Sequence, residues 1–354
     1  MRRQGRASQQ GRVRSRVSAV TASERIPLRI FSGIKPTGDS TLGNYSGGFR
    51  QYAATQEQGD ATFCIVDLHA ITVEYDPADL RERTLDLFAM LIATGLDPDR
   101  TTVFAQSHVT AHAEASWLLS AVAGYGQLGR MTQFKEKGRE QDHVASALFN
   151  YPVLMAGDIL LYQADIVPIG DDQRQHLELT RDIAERFNGR YGEVFTVPEG
   201  VYPEVGARIM SLQDPSAKMG KTGSSDQGTV RMLDSPEAIM KKCKTAVTDS
   251  GREVRRGDDK PGISNLIDIM SVATGHTPAA IESEYADAGY GAFKQAVGEA
   301  VVALLEPIRL RYTELRADEG ELLRLLAGGA DRARAASAPT LERMYEAMGF
   351  VRLS

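Results

Sequence analysis

The sequence predicts a doubly wound, parallel α/β sheet followed by an all-helical region. Three observations carry this reading. Short apolar runs alternate with helical patterns through the first half, in the order strand, loop, helix, strand, helix, strand. One run, residues 61–67 (ATFCIVD), is apolar almost without a break, as a strand buried on both faces of a parallel sheet must be. Beyond Ser211 no strand pattern is visible, and only helical periods remain.

In order, residues 28–32 (LRIFS) read as a strand running into a tight loop over 33–38, and 42–58 as a helix stopped by Gly59 and Asp60. A helix over 77–94 opens on Pro77 and stops at Gly95, and 102–106 is a third strand. Helical patterns over 112–123 and 152–162 precede a short strand at 166–169 and a helix over 172–187. Residues 235–246, 263–274, 278–285, 291–317 and 320–348 read as helices. The chain thus divides into a tail (1–26), an α/β domain (27–211), a helical domain (212–318) and a C-terminal helix (319–354).

Composition narrows the class. Of 354 residues, 42% are hydrophobic and 25% charged, a balance typical of a soluble globular protein. No run of 18 apolar residues exists, so no membrane span is expected. The two cysteines, Cys64 and Cys243, are far apart, which argues against a cysteine-built zinc site or a disulfide framework and fits a reducing, cytoplasmic setting. The whole chain carries −6, yet residues 1–26 hold seven arginines against Glu24, a local +6 that leaves −12 for the rest. That acidic body argues against general affinity for DNA while leaving room for a local basic groove. The tail reads as a disordered basic segment; its Arg-rich, acid-poor start also fits an organelle transit peptide, and it lacks the apolar stretch of a secretory signal.

Four segments carry chemistry. Gly33 and Gly38 permit close backbone approach, and the helix from Thr41 aims free N–H groups and its dipole above the strand ends, where open α/β sheets bind ligands. Lys218-Met219-Gly220-Lys221-Thr222 sets two lysines three apart among glycines, suited to wrapping a polyphosphate, although its spacing is not that of a Walker loop. Asp158 is a lone carboxylate in an apolar helix, so it needs a partner: an arginine, a backbone N–H, or a ligand N–H. Gly170-Asp171-Asp172-Gln173 opens a helix with acids that serve either as caps or as ligands for a hydroxyl or an ammonium group. Neither His69 nor His176 shows metal-ligand spacing.

In this order the segments resemble bacterial-type tryptophanyl-tRNA synthetases, members of the class I aminoacyl-tRNA synthetases. The resemblance spans about residues 30–350 and is carried by FSGIKPTGDSTLGNY, FCIVDLHAITV, RMTQFKEKG, YPVLMAGDILLYQADIVPIGDDQRQHLELTRDIAERFN, VGARIMSLQDPSAKMGKT, KTAVTDS and KPGISNL. It implies a Rossmann-like catalytic domain followed by an α-helical anticodon-binding domain. It further implies an ATP-dependent ligase of protein biosynthesis. Such an enzyme converts tryptophan and ATP to tryptophanyl-adenylate and pyrophosphate, then loads tRNA(Trp), with Mg²⁺ carried on the ATP phosphates and a homodimer meeting near residues 110–160.

Residue by residue, the resemblance places Lys35, Pro36, Thr37, Gly43, Asn44, Gly170, Asp171, Asp172 and Ile209 around ATP, together with the loop Lys218, Met219, Gly220, Lys221 and Thr222. Lys218, Lys221, Thr41 and Asn44 would be catalytic, the last two standing where the family's signature usually has histidines. Asp158 would accept the indole N–H, with Phe31, Gly33, His69, Met155 and Val167 around the ring and Tyr151 and Gln173 at the ammonium group. The rivals are tyrosine activation on the same fold, a non-catalytic regulator and a small-molecule nucleotidyltransferase. Lys241, Lys242 and Lys244 form a basic cluster able to touch phosphates.

The chain departs from the family pattern in places. Gly220 and Thr222 replace the serines of K-M-S-K-S, Lys35 replaces a glutamine, and Gly157 and Ile169 replace alanine and valine near the ring site. These changes suggest an isoform with altered sensitivity to tryptophan-analogue inhibitors, as a second copy in its cell would have. The cysteines needed for the family's occasional iron–sulfur cluster are missing.

Overall fold

In the computed structural model, residues 27–139, 144–170, 173–202, 208–220 and 225–351 are described. The basic tail, Asp171, Asp172, Lys221 and Thr222 lie outside them.

Strand β1 (Leu28–Ile34) leads to α1 (Leu42–Asn44), a π-helical turn (Tyr45–Phe49) and α2 (Arg50–Thr55). The single helix expected over 42–58 is thus locally widened at Gly47 and Gly48, and Gly59 opens β2 (Gly59–Ile65) instead of ending a helix. Gly59 sits where a Cβ would strike the Leu28 carbonyl of β1, so it serves sheet packing. Next come α3 (Asp67–Ala70), α4 (Pro77–Ala93), β3 (Thr102–Ala105), α5 (Ala111–Ser120), α6 (Tyr125–Leu128), α7 (Thr132–Arg139) and α8 (Ser146–Leu160). Helix α8 carries Pro152 within it, so it starts a turn and a half earlier than the sequence reading placed it. Strand β4 (Ile166–Pro168), α9 (Arg174–Tyr191) and β5 (Glu199–Val201) complete the sheet.

Every strand pairing is parallel and the order is β3-β2-β1-β4-β5. Chain order reverses between β1 and β4, which opens a crevice at their carboxyl ends. Strand β5 was missed in the sequence because GV between Glu199 and Tyr202 shows neither alternation nor an apolar run.

The second half is helical: α10 (Pro236–Lys244), α11 (Pro261–Thr274), α12 (Pro278–Glu284), α13 (Gly289–Ala317) and α14 (Glu319–Met348). One apolar cluster runs from Ile30, Phe63 and Phe88 of the α/β part through Ile209, Met219 and Val230 to Ile263, Leu266 and Phe293. Helix α13 is tied to α4 by Arg316 with Glu82 and Asp86, and by the Tyr312 hydroxyl donating to Asp86 at 2.7 Å. Helix α14 returns to the sheet edge, where a Cβ on Gly329 would collide with the Val103 carbonyl of β3. Among the described residues, no helix is long and apolar enough to cross a membrane.

Candidate active site

A cavity of about 320 Å³ opens at the β1–β4 crevice. All eight residues assigned to tryptophan line it: Phe31 and Gly33 from the end of β1, His69 from α3, Tyr151, Met155 and Asp158 from one face of α8, Val167 from β4, and Gln173 at the start of α9. The α8 residues come together because positions 151, 155 and 158 fall on one side of a helix with 3.6 residues per turn. Apolar side chains form the walls, and Phe31 stacks on Tyr162 with ring centres 5.3 Å apart and planes at 16°.

Asp158 is the polar centre of this cavity and is 1% exposed. Its Oδ1 accepts from Gln106 Nε2 and His112 Nδ1, both at 2.6 Å, and its Oδ2 accepts from His69 Nε2 at 2.9 Å. Burial pushes its pKa upward, but the hydrogen bonds from His112 and His69 outweigh it and hold the carboxyl at about 2. The group is therefore an anion at neutral pH. A carboxylate offers about four lone-pair positions, and three are filled. A ligand N–H is the natural fourth partner. No arginine or lysine bonds this carboxylate among the described residues, and the cavity remains open beside it.

Around the rim, the Tyr151 hydroxyl lies 2.6 Å from His176 Nε2 and donates to Gln133 Oε1 at 3.3 Å. Burial pushes the Tyr151 phenol up to about 12, so it stays protonated. Gln133 also lines the cavity, as do Ser32, Gln51 and Thr72. The sequence reading missed these residues, along with Gln106 and His112. Gln106 directly follows β3, and a polar residue at a strand's carboxyl end was the signal available.

The residues assigned to the nucleotide divide into groups. Lys35 and Gly170 line the same cavity, which continues over Gly47 and Gln51 of the helix after the first signature. Pro36 and Thr37 line a neighbouring recess of about 240 Å³ with Arg83 and Arg231. Thr41 and Asn44 form a reciprocal cap: the Thr41 hydroxyl oxygen accepts from Asn44 N at 3.3 Å, and Asn44 Oδ1 accepts from Thr41 N at 3.0 Å. Leu42 N donates to the Val230 carbonyl at 2.9 Å. Two of the helix-start N–H groups expected to be free are therefore already bonded within the protein. Ile209 turns its side chain into the core, 2% exposed, and its carbonyl accepts from Met219 N at 3.0 Å.

The two signature segments meet directly. A Cβ on Gly43 would lie 2.5 Å from the Met219 carbonyl, so the loop carrying Lys218 presses on the helix start. Met210 pairs with Lys218, and Thr41 with Arg231, in antiparallel bridges on either side of that loop. Met219 is buried in the core while Lys218 is exposed. The lysine cluster at 241–244 is divided: Lys241 and Lys244 are exposed, whereas Lys242 lies on the inward face of α10. Its Nζ bonds Asp234 at 2.7 Å and the Thr229 carbonyl at 2.9 Å, so it is not available to a phosphate backbone.

Comparison with known proteins agrees with this geometry. Residues 23–306 match the family described as tRNA synthetases class I (W and Y). The chain is 49% identical to the tryptophan–tRNA ligase of Clostridium perfringens over 323 residues, covering 91% of this chain and 97% of that protein. It superposes on the tryptophanyl-tRNA synthetase of Mycoplasma pneumoniae with a TM-score of 0.83 and 34% identity, covering 92% and 98% of the two chains. The Campylobacter jejuni tryptophanyl-tRNA synthetase complexed with ADP and tryptophan gives a TM-score of 0.81 and 32% identity, covering 91% and 100%.

Proposed function

The chain belongs to the class I tRNA synthetases (W and Y), on their tryptophan side, and we propose that the β1–β4 cavity is where it selects tryptophan and joins it to ATP. It is an ATP-dependent ligase that attaches tryptophan to tRNA. The observation that carries the assignment of the cavity is the buried Asp158 anion, three-quarters satisfied, set in an apolar slot.

The chemistry asks for positioning more than for acid–base work. The tryptophan carboxylate is ionised at neutral pH, so no general base is needed to activate it. One of its oxygens bonds to the α-phosphorus of ATP while the bond to the bridging oxygen breaks and pyrophosphate leaves. A terminal ribose hydroxyl of the tRNA then attacks the acyl carbon, loses its proton, and AMP departs. Catalysis is alignment and charge stabilisation. In our reading Asp158 takes the indole N–H, Phe31, Gly33, His69, Met155 and Val167 enclose the ring, and Tyr151 and Gln173 hold the ammonium group.

For the nucleotide, our reading assigns Lys35, Pro36, Thr37, Gly43, Gly170, Asp171, Asp172 and the backbone at Ile209 to the adenosine and phosphates, and residues 218–222 to the pyrophosphate. In the same reading Lys218 and Lys221 supply positive charge, and Thr41 and Asn44, which cap the helix start reciprocally, are the remaining catalytic candidates. The lysines assigned to the phosphate end, Lys35, Lys218 and Lys221, suit phosphate oxygens better than a cation, so Mg²⁺ would be held by the phosphates themselves. Its charge there would stabilise the leaving group.

The helical residues 212–318 are proposed to meet the anticodon. A homodimer is proposed through the face bearing Trp117 and Tyr125, which are 79% and 80% exposed in the single chain. Residence in the cytoplasm, one place where tRNA is charged, is proposed with it. The test is amino-acid-dependent pyrophosphate exchange over all twenty amino acids: tryptophan alone should support it, and exchange with tyrosine but not tryptophan would refute the reading.

A further inference from the structure

Asp158 does not stand alone behind the ring. His112, 0% exposed, donates from Nδ1 to Asp158 Oδ1 at 2.6 Å. Its other nitrogen, Nε2, lies 2.9 Å from the Tyr162 hydroxyl. Behind that hydroxyl stands Ser337, 0% exposed, on α14, whose Oγ donates to the Arg334 carbonyl at 3.3 Å. His112 thus ties the carboxylate to the Tyr162 hydroxyl, each ring nitrogen holding one of them. The bonded chain runs from Tyr162 through His112 to the carboxylate in the cavity. A Cβ at Gly157 would lie 3.3 Å from Ser116 N, so α8 packs closely on α5 at this point.

We propose that His112 is a specificity-determining positioning residue, held by Tyr162, which fixes the Asp158 carboxylate so that only a ring bearing an N–H donor is accepted. The inference rests on the assignment of Asp158 to the indole nitrogen. Without His112, Asp158 Oδ1 loses one of its two donors, the carboxylate is free to rotate, and its remaining lone pair no longer points at one place in the cavity. Loss of a charge-assisted hydrogen bond of this kind corresponds to roughly 10- to 100-fold in selectivity.

The test compares tryptophan with β-(benzothiophen-3-yl)alanine, which has the same ring shape but sulfur in place of the N–H, in pyrophosphate exchange. Wild type, His112→Leu, His112→Asn, Tyr162→Phe and Asp158→Asn are measured side by side, each with its KM for ATP. In His112→Leu the preference for tryptophan should fall about 10- to 100-fold through KM for tryptophan, with KM for ATP unchanged. His112→Asn, whose Nδ2 reaches the place of the imidazole Nδ1, should restore part of it, and Tyr162→Phe should give a smaller loss in the same direction. A preference that survives in His112→Leu and Tyr162→Phe but collapses in Asp158→Asn overturns the inference and leaves the assignment of Asp158 standing. A preference that also survives in Asp158→Asn overturns both.

Discussion

The Met219 carbonyl lies so close to Gly43 that any side chain at position 43 would have its Cβ 2.5 Å away. The obstacle is backbone, which cannot swing aside as a flexible side chain would. Gly43→Ala must therefore displace the loop bearing Lys218. A misplacement of about 1 Å in a positioning enzyme costs on the order of 10²-fold in rate. We expect kcat in pyrophosphate exchange to fall by that order while tryptophan binding, read by equilibrium dialysis, holds; an unchanged kcat would contradict the contact.

Lys242 and Asp234 form a buried pair at 2.7 Å, with side chains 5% and 12% exposed. Removing one partner strands the other charge, which typically costs about 3–5 kcal/mol. Lys242→Ala should lower the unfolding free energy by about that much in urea, while the exposed Lys241→Ala changes it by less than about 0.5 kcal/mol. Equal, small effects on stability with weakened tRNA affinity in both would restore the lysine cluster to a phosphate-binding role.

Asp158 has a folded-state pKa of about 2 against an ordinary value of 3.8. Because the folded value is the lower one, the ionised group stabilises the fold fully above about pH 5, and this contribution fades as pH falls toward 2. The shift is worth about 2 kcal/mol. The difference in unfolding free energy between wild type and Asp158→Asn should therefore narrow by about that amount between pH 5 and pH 2. A difference independent of pH would show that the histidines do not hold the carboxylate in its charged state.

Lys35 lines the same cavity as Asp158 and would put a cation beside a bound ligand. We expect Lys35→Gln to increase inhibition by an indole-based tryptophan analogue. Identical inhibition constants in the two proteins would remove the reading of this chain as an inhibitor-tolerant isoform.

Much of this was legible in the sequence because local pattern and global fold agree. The run ATFCIVD announces a doubly covered strand, and positions 151, 155 and 158 place their side chains on one helical face without any tertiary information. What stayed hidden depends on contacts between distant segments. Nothing local shows that Gly59 begins a strand because it abuts the Leu28 carbonyl, or that the YSGGF turn widens the helix after the first signature. The partners of Asp158 come from β3's end and from α5, 52 and 46 residues away. The sequence showed that this carboxylate needed partners; only the fold supplied Gln106 and the two histidines.

The most direct measurement of the central claim is the NMR signal of the indole N–H in ¹⁵N-labelled tryptophan bound to the enzyme. Donation to the buried Asp158 anion predicts a proton resonance moved downfield from that of free tryptophan and protected from exchange with water, with both effects lost in Asp158→Asn. A bound indole proton at its free position, exchanging freely, would contradict the account.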